Sequence, residues 1–303
     1  LPSAARGRHG PRDATEYEHE HEYEYGYEVP MSSPPPSPFL AFAIDAVRRA
    51  GETQRAAFGR GFAVSKKGAI DLVTEIDVAI ERDFRTHVAE AWPGHGVLGE
   101  EFGATPSAGV THWWIFDPID GTTNFAHGLP IFCASLALEI DGVLAVGAVY
   151  DPMRDELFSA ERGRGAWLNG ERLAVSANAS LGDALLVTGF PYSVQTDGEE
   201  LLGLFARFIG KARAVRRLGS AALDVCYVAA GRMDGFWEQG LGPWDIAAAA
   251  LIVDEAGGTT TDLEGHPFAA RSGRLVASNG LVHREMLDTI ATFHAERARN
   301  RTD

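Results

Sequence analysis

Trp113-Trp114-Ile115-Phe116-Asp117-Pro118-Ile119-Asp120-Gly121-Thr122-Thr123-Asn124 reads as an apolar strand running straight into an acid. Pro118 fixes the backbone and withholds an N–H. Asp120 follows Asp117 by three residues, and Gly121 permits a tight turn. Two carboxylates so close on a rigid turn can converge on one point, where they repel unless a cation lies between them. A divalent metal is the natural partner, and oxygen-only ligands favour Mg²⁺ over Zn²⁺. Gly121-Thr122-Thr123-Asn124 then offers N–H groups and hydroxyls suited to an anion such as phosphate. Standing alone, the same turn would also serve as an Asx-rich helix cap.

Outward from this block lie three more acidic junctions. Gly99-Glu100-Glu101 follows a short strand ending at Leu98. Pro243-Trp244-Asp245-Ile246-Ala247 opens a helix with Asp245 in its first turn. Asp71–Asp77 (DLVTEID) is a strand-to-helix junction, with Thr74 as N-cap and Asp77 echoing a capping box. Each alone has a plain reading: adjacent surface acids, dipole complementation and capping, respectively.

The surrounding pattern is that of an α/β (α+β) protein. Apolar spacing predicts helices over Phe39–Phe58 and Thr74–Ala91. Strands follow at Gly96–Leu98, Trp113–Phe116, Cys133–Ile140, Leu144–Tyr150 and Leu157–Ala160, and Asp141-Gly142 between two of them is a hairpin signal. The first half therefore reads as helices on a largely antiparallel sheet. The second half alternates: strands at Ala184–Gly189, Val215–Arg217, Asp234–Glu238 and Leu275–Ser278, helices at Glu199–Ile209, Ala221–Ala230, Trp244–Ala256 and Val282–Ala295.

Composition sets outer limits. The 303 residues carry 27 basic against 42 acidic side chains, a net charge of −15 that speaks against binding nucleic acid through a broad basic face. Two cysteines, Cys133 and Cys226, are too few for a disulfide scaffold; both lie in apolar patterns and read as core. No apolar run approaches the roughly 18 residues of a membrane span, and no apolar leader precedes the globular part, so a cytoplasmic protein is expected. Residues 1–37 read as a disordered, low-complexity extension: Glu16–Glu28 alternates Glu with Tyr or His, and a Pro-rich run follows Met31, the expected natural start. Residues 38–303 form the expected single catalytic domain, with halves 38–180 and 181–303. Arg213, Arg216 and Arg217 could touch an anion or a partner subunit, a solvated face being the plainer reading, and His127 could line an entrance, a structural or exposed loop residue being the plainer reading.

Taken together, the four acidic blocks resemble the inositol monophosphatase family of Mg²⁺-dependent, Li⁺-sensitive sugar and polyol phosphatases. The resemblance runs from about Phe39 to His294. Trp114–Asn124 is similar to the family's first signature (D-P-I-D-G-T-T-N-F), and Trp244–Gly258 (WDIAAAALIVDEAGG) to its second. It implies the layered αβαβα sandwich of the inositol monophosphatase/fructose-1,6-bisphosphatase type, and a homodimer.

The resemblance also implies roles. Glu100, Asp117 and the Ile119 carbonyl would hold a first metal; Asp117, Asp120 and Asp245 a second. Glu100 would also face a third, weaker ion. Thr122, with Asp77 behind it, would orient the nucleophilic water. The Gly121 and Thr122 N–H groups would grip phosphate. Gly219, Ser220, Ala221 and Glu238 match positions that contact polyol hydroxyls, Asp245 adjoins them, and Lys66 stands where the family has a basic residue. The implied reaction is hydrolysis of inositol monophosphate to inositol and phosphate. Histidinol phosphate, fructose 1,6-bisphosphate and 3′-phosphoadenosine 5′-phosphate remain alternative substrates. Some bacterial members of the family also contact the transcription machinery, so a protein-binding role stays open beside catalysis.

Overall fold

A computed structural model describes residues 35–61, 64–66, 72–105, 109–191 and 193–300. The N-terminal extension as far as residue 34, including Met31, and Asp71 lie outside the described residues, as does the side chain of Lys66.

The elements, in chain order, are α1 (Pro38–Ala57), β1 (Val64–Lys66), β2 (Leu72–Thr74), α2 (Glu75–Ala91), β3 (Gly96–Gly99), β4 (Gly103–Ala104), β5 (His112–Asp120), α3 (Thr122–Ala126), β6 (Cys133–Ile140), β7 (Val143–Asp151), β8 (Glu156–Glu161), β9 (Ala166–Leu168) and β10 (Glu171–Arg172). Then come β11 (Leu185–Thr188), α4 (Val194–Ile209), β12 (Ala214–Arg216), α5 (Ala221–Ala229), β13 (Gly235–Gln239), α6 (Pro243–Glu255), β14 (Thr259–Thr261), β15 (Arg274–Ser278) and α7 (His283–Asn300). Among the described residues, no helix is long and apolar enough to cross a membrane.

Eight strands form one sheet in the order β10-β9-β8-β7-β6-β5-β3-β4, antiparallel except where β3 meets β5. Five form a second, mixed sheet, β12-β11-β13-β15-β14. The β6–β7 hairpin turns at Asp141 and Gly142, both at positive φ (49° and 79°), as a two-residue hairpin of matching twist requires.

Strand residues sort by parity. In β5 and β6, Trp114, Phe116, Ala134, Leu136 and Leu138 pack with α1 and α2, while Ile115, Cys133 and Ala137 pack with α5 and α6. In the smaller sheet, Val187, Phe236, Leu275 and Ala277 face α5 and α6, and Leu186, Trp237 and Val276 face α4 and α7. The layers are therefore α1/α2, large sheet, α5/α6, small sheet, α4/α7: the expected αβαβα order. Because both sheets are buried on both faces, their central strands read as continuous apolar runs rather than alternating ones.

Three differences from the sequence reading have physical causes. The short strands β1, β4, β9, β10 and β14 span two or three residues each, too few to show a period. Helix α4 starts at Val194, ahead of the expected Glu199. Helix α7 continues to Asn300, past the apolar periodicity, where Glu296 pairs with Arg207 and Arg297 with Glu200 of α4.

Helix α6 is wedged between the sheets, and its run Ala247–Ala250 keeps it slim. Gly147 of β7 faces it so closely that a Cβ there would lie 2.7 Å from the Ala248 carbonyl oxygen. Gly147→Ala should therefore destabilise the protein by about 1–3 kcal/mol in urea unfolding. Gly61→Ala, where a Cβ meets nothing within 4 Å, should stay within about 0.5 kcal/mol. Equal stabilities for the two variants would contradict this packing.

Candidate metal and phosphate site

Strand β5 pairs with β6 in register from His112–Ile140 to Asp117–Ser135, then resumes at Asp120–Cys133. Three steps along β5 match two along β6, so one extra residue is bulged out. In an unbroken strand, positions three apart point to opposite faces. The bulge reverses that parity and puts Asp117 and Asp120 on one face, toward α5 and α6. Pro118 cannot donate to the ladder there. Its carbonyl instead accepts from Nε2 of Gln54, a fully buried side chain of α1, at 2.6 Å.

Each acid on this face is held by N–H or O–H donors. Asp117 Oδ1 accepts from the Ile119 N–H at 2.9 Å. Asp120 accepts from the opening of α5: the Ser220 hydroxyl at 2.6 Å, the Ala222 N–H at 2.7 Å and the Ala221 N–H at 3.2 Å. Asp245, in the first turn of α6, accepts from the Gly242 N–H at 2.6 Å. One oxygen from each of Asp117, Asp120 and Asp245 lies within 4.8 Å of the other two. Burial, and then the charges of Glu100, Asp120 and Asp245, hold Asp117 well above the usual carboxylate range. Burial, then Asp120 and Glu100, do the same to Asp245. Burial raises Asp120 as well, against the pull of its donors at Ser220 and α5. Cys133 and Cys226 are buried free thiols, as expected of core residues, but Cys133 also underlies the site, its Sγ 3.8 Å from Asp120 Oδ2.

Behind this group stand Thr122 and Asp77. The Thr122 Oγ1 is 3.2 Å from Asp77 Oδ1 and 2.9 Å from the Ile119 carbonyl oxygen, and its one proton can go to either. Asp77 closes the capping box of α2: its Oδ2 accepts from the Thr74 N–H at 2.9 Å and from the Thr74 hydroxyl. Burial pushes Asp77 up to about 6, against these donors. Gly121, at φ 97°, would be strained by any side chain: a Cβ would lie 3.0 Å from the Ile131 carbonyl oxygen and 3.2 Å from that of Gly219. Asn124 ties the same loop down, donating to the Ile131 and Leu218 carbonyls at 2.8 and 2.9 Å.

Glu100, Asp117, Ile119, Asp120, Gly121, Thr122, Gly219, Ser220, Ala221, Glu238 and Asp245 all line one cleft of about 410 Å³. Asp77 stands one layer behind it. Glu101, the neighbour left out of the sequence assignment, does not line it. His127 is exposed at the end of α3, as expected.

The far wall holds what sequence reasoning missed. Asp224 of α5 lines the cleft, is 1 % exposed, and its Oδ1 has no hydrogen-bond partner among the described residues. Burial, then Glu238 and Asp120, hold it well above the usual carboxylate range, while Arg217 pulls the other way. Burial and then Asp120 push Glu238 up to about 8. Arg217, read as solvated, stands at the rim of the same cleft. A helical acid amid apolar neighbours was the available signal for Asp224. A second acidic group, Asp262, Glu264 and His266, lies toward the surface, with the His266 ring already 2.9 Å from Asp262.

Comparison with known proteins agrees in extent. The family described as "Inositol monophosphatase family" matches residues 36–297. A protein named Nus factor SuhB from Pseudomonas aeruginosa is 44% identical over 259 residues, covering 84% of this chain and 96% of its own. An inositol-1-monophosphatase from Mesorhizobium japonicum is 41% identical over 256 residues, with the same shares. The crystal structure of the extragenic suppressor protein suhB from Bartonella henselae superposes with a TM-score of 0.80 at 38% identity, over 84% of this chain and 98% of that one. The sandwich is thus of the inositol monophosphatase type.

The buried acids make stability depend on pH when divalent metal is chelated. Glu238 releases its proton at about 8 in the folded protein and near its ordinary 4.5 when unfolded. Between these values the folded state binds more protons, so unfolding free energy falls as pH rises. The contribution is complete below the unfolded value and lost through the folded one. Urea unfolding in EDTA from about pH 5 to about pH 8.5 should show declining stability. Glu238→Gln should flatten the decline; an unchanged slope would refute the assignment.

Proposed function

The chain belongs to the inositol monophosphatase family, and from that premise we propose that it is a cytoplasmic, homodimeric, Mg²⁺-dependent phosphomonoesterase that hydrolyses inositol monophosphate. The observation that carries the reading is the meeting, in one cleft, of the buried carboxylates of Asp117 and Asp120 and the half-buried one of Asp245 with the opening turn of α3. An all-oxygen donor set whose members raise one another's proton affinity fits a hard divalent cation. Glu100, Asp117 and the Ile119 carbonyl would hold one ion, and Asp117, Asp120 and Asp245 another. When bound, Mg²⁺ supplies positive charge that offsets the phosphate dianion and makes water more acidic.

The chain's own residues do the rest. The Thr122 hydroxyl donates its hydrogen bond to Asp77 or to the Ile119 carbonyl, which leaves its oxygen free to accept from the attacking water and aim it. Asp77, fixed by Thr74, keeps that hydroxyl turned. The N–H groups of Gly121 and Thr122 bind phosphate oxygens. Ser220 and Ala221 hold Asp120, and with Gly219 they bring the start of α5 to the polyol side of the cleft. Glu238 and Asp224 give that side two acids, which hydrogen-bond sugar hydroxyls and, once ionised beside bound metal, disfavour a second phosphate. That favours inositol monophosphate over fructose 1,6-bisphosphate or 3′-phosphoadenosine 5′-phosphate. Histidinol phosphate, with its ammonium, is the competing substrate.

A second reading, a role in a transcription complex carried by the same fold, draws on the relative named Nus factor SuhB, whose 44% identity stands beside the 41% of the inositol-1-monophosphatase. It requires a protein partner, since the net charge of −15 disfavours direct nucleic-acid binding.

Phosphate release from the four candidate esters, each with Mg²⁺, with Mg²⁺ plus Li⁺, and with EDTA, tests the assignment. Inositol 1-phosphate should turn over fastest, lose activity in EDTA and slow with Li⁺. Asp120→Asn and Asp245→Asn should each lower kcat/KM by more than about a hundredfold. Preference for another ester would overturn the substrate, and metal-independent turnover the mechanism. A partner-binding role would survive both substitutions.

A further inference from the structure

Helix α2 presents Asp77, Glu81 and Arg85 four residues apart along one face, so each lies a turn beyond the last. Asp77 meets Thr122. Glu81 is a charged side chain with no exposure at all, and it is spent on backbone: its oxygens accept from the N–H groups of Glu101 at 2.7 Å and Phe102 at 3.2 Å. Arg85 pairs with it, Nε to Oε1 at 2.8 Å. The same guanidinium reaches Thr105 Oγ1 at 3.1 Å and the Gly103 carbonyl. The segment so gripped is the turn between β3 and β4, and its first residue is Glu100.

Two further features show how tightly the turn is drawn in. A Cβ on Gly99 would come within 2.2 Å of Glu81 Oε1, so the strand can approach the helix only with glycine there. Phe102 lies under the guanidinium groups of Arg82 and Arg85, at 5.9 and 5.7 Å from its ring centre. A carboxylate suits this place because it only accepts, and its two oxygens can serve two N–H groups and an arginine together.

We propose that Glu81, braced by Arg85, is a positioning residue that fixes the turn carrying Glu100, so that Glu100 enters the cleft in fixed relation to Asp77 and Thr122. The proposal rests on the reading of Glu100 as a metal ligand. Its effect falls on metal affinity, because Glu81 holds the backbone of the two residues that follow the ligand and does not line the cleft.

Isothermal titration of the full chain with Mg²⁺ alone tests it, using Glu81→Gln, Arg85→Ala, Glu100→Ala and the two double variants with Glu100→Ala. Glu81→Gln and Arg85→Ala should weaken Mg²⁺ binding about 10–100-fold, as loss of an outer partner does. The Mg²⁺ concentration for half-maximal phosphate release should rise by the same factor. In the Glu100→Ala background both substitutions should cost little more, since the group they position is gone. If Glu81→Gln fails to give the folded far-ultraviolet circular dichroism spectrum, Arg85→Ala, at a side chain 21% exposed, carries the test. Wild-type Mg²⁺ affinity in Glu100→Ala would overturn the reading of Glu100. Weakened binding in Glu100→Ala, but unchanged binding in Arg85→Ala and folded Glu81→Gln, would overturn the proposal and leave that reading standing. Undiminished losses in the double variants would do the same.

Discussion

Three carboxylates held within 4.8 Å of one another, two of them buried and the third half-buried, set the terms for the rest of the molecule. Two charges about 4 Å apart repel by roughly 4 kcal/mol at the effective dielectric of a protein site. A hydrogen bond to a charged group returns only about 1.5–3 kcal/mol. The donors that hold Asp117, Asp120 and Asp245 therefore fix where the oxygens sit without cancelling the repulsion among them. Such a cluster must either keep protons or hold a cation, and the raised proton affinities of Asp117 and Asp245 express that choice.

The scaffold answers by bringing acids from separate layers to one seam. Asp117 and Asp120 come from the large sheet, Asp245 from α6, and the donors to Asp120 from the start of α5. Both of these helices lie between the sheets, so the site is built where three layers touch. Close approach there depends on small residues: the alanines of α6 against Gly147, and Gly121 against Gly219. The outer helices α1 and α2 reach the same seam from the other face, α1 through Gln54 on the Pro118 carbonyl and α2 through Asp77 on Thr122.

Much of this was legible in the chain. The acids of Trp113–Asn124, Gly99–Glu101 and Pro243–Ala247 announced themselves by standing at junctions of apolar elements, and the cleft collects them. Thr74 and Asp77 form the capping box that their spacing suggests. The far wall was not legible. Asp224 lies on a helix buried on all sides, where periodicity cannot say which face a residue takes. Arg217, in the connection before α5, looks like any surface arginine until Glu238 of β13 is brought to the same cleft. Such residues acquire meaning only from the pairing of α5 with β13, which local pattern does not encode.

The bulge at Pro118 makes the site a matter of odd and even. Along β5 the face on which a side chain emerges is decided by counting residues, and one uncounted residue brings Asp120 round to join Asp117. A lineage could lengthen the loops beyond β5 or trade one apolar residue for another within it and keep the arrangement. Keeping three steps between the acids while pairing them without the bulge would turn one acid to the opposite face, toward α1 and α2. The odd spacing of the two acids and the bulge between them must therefore be kept or lost together.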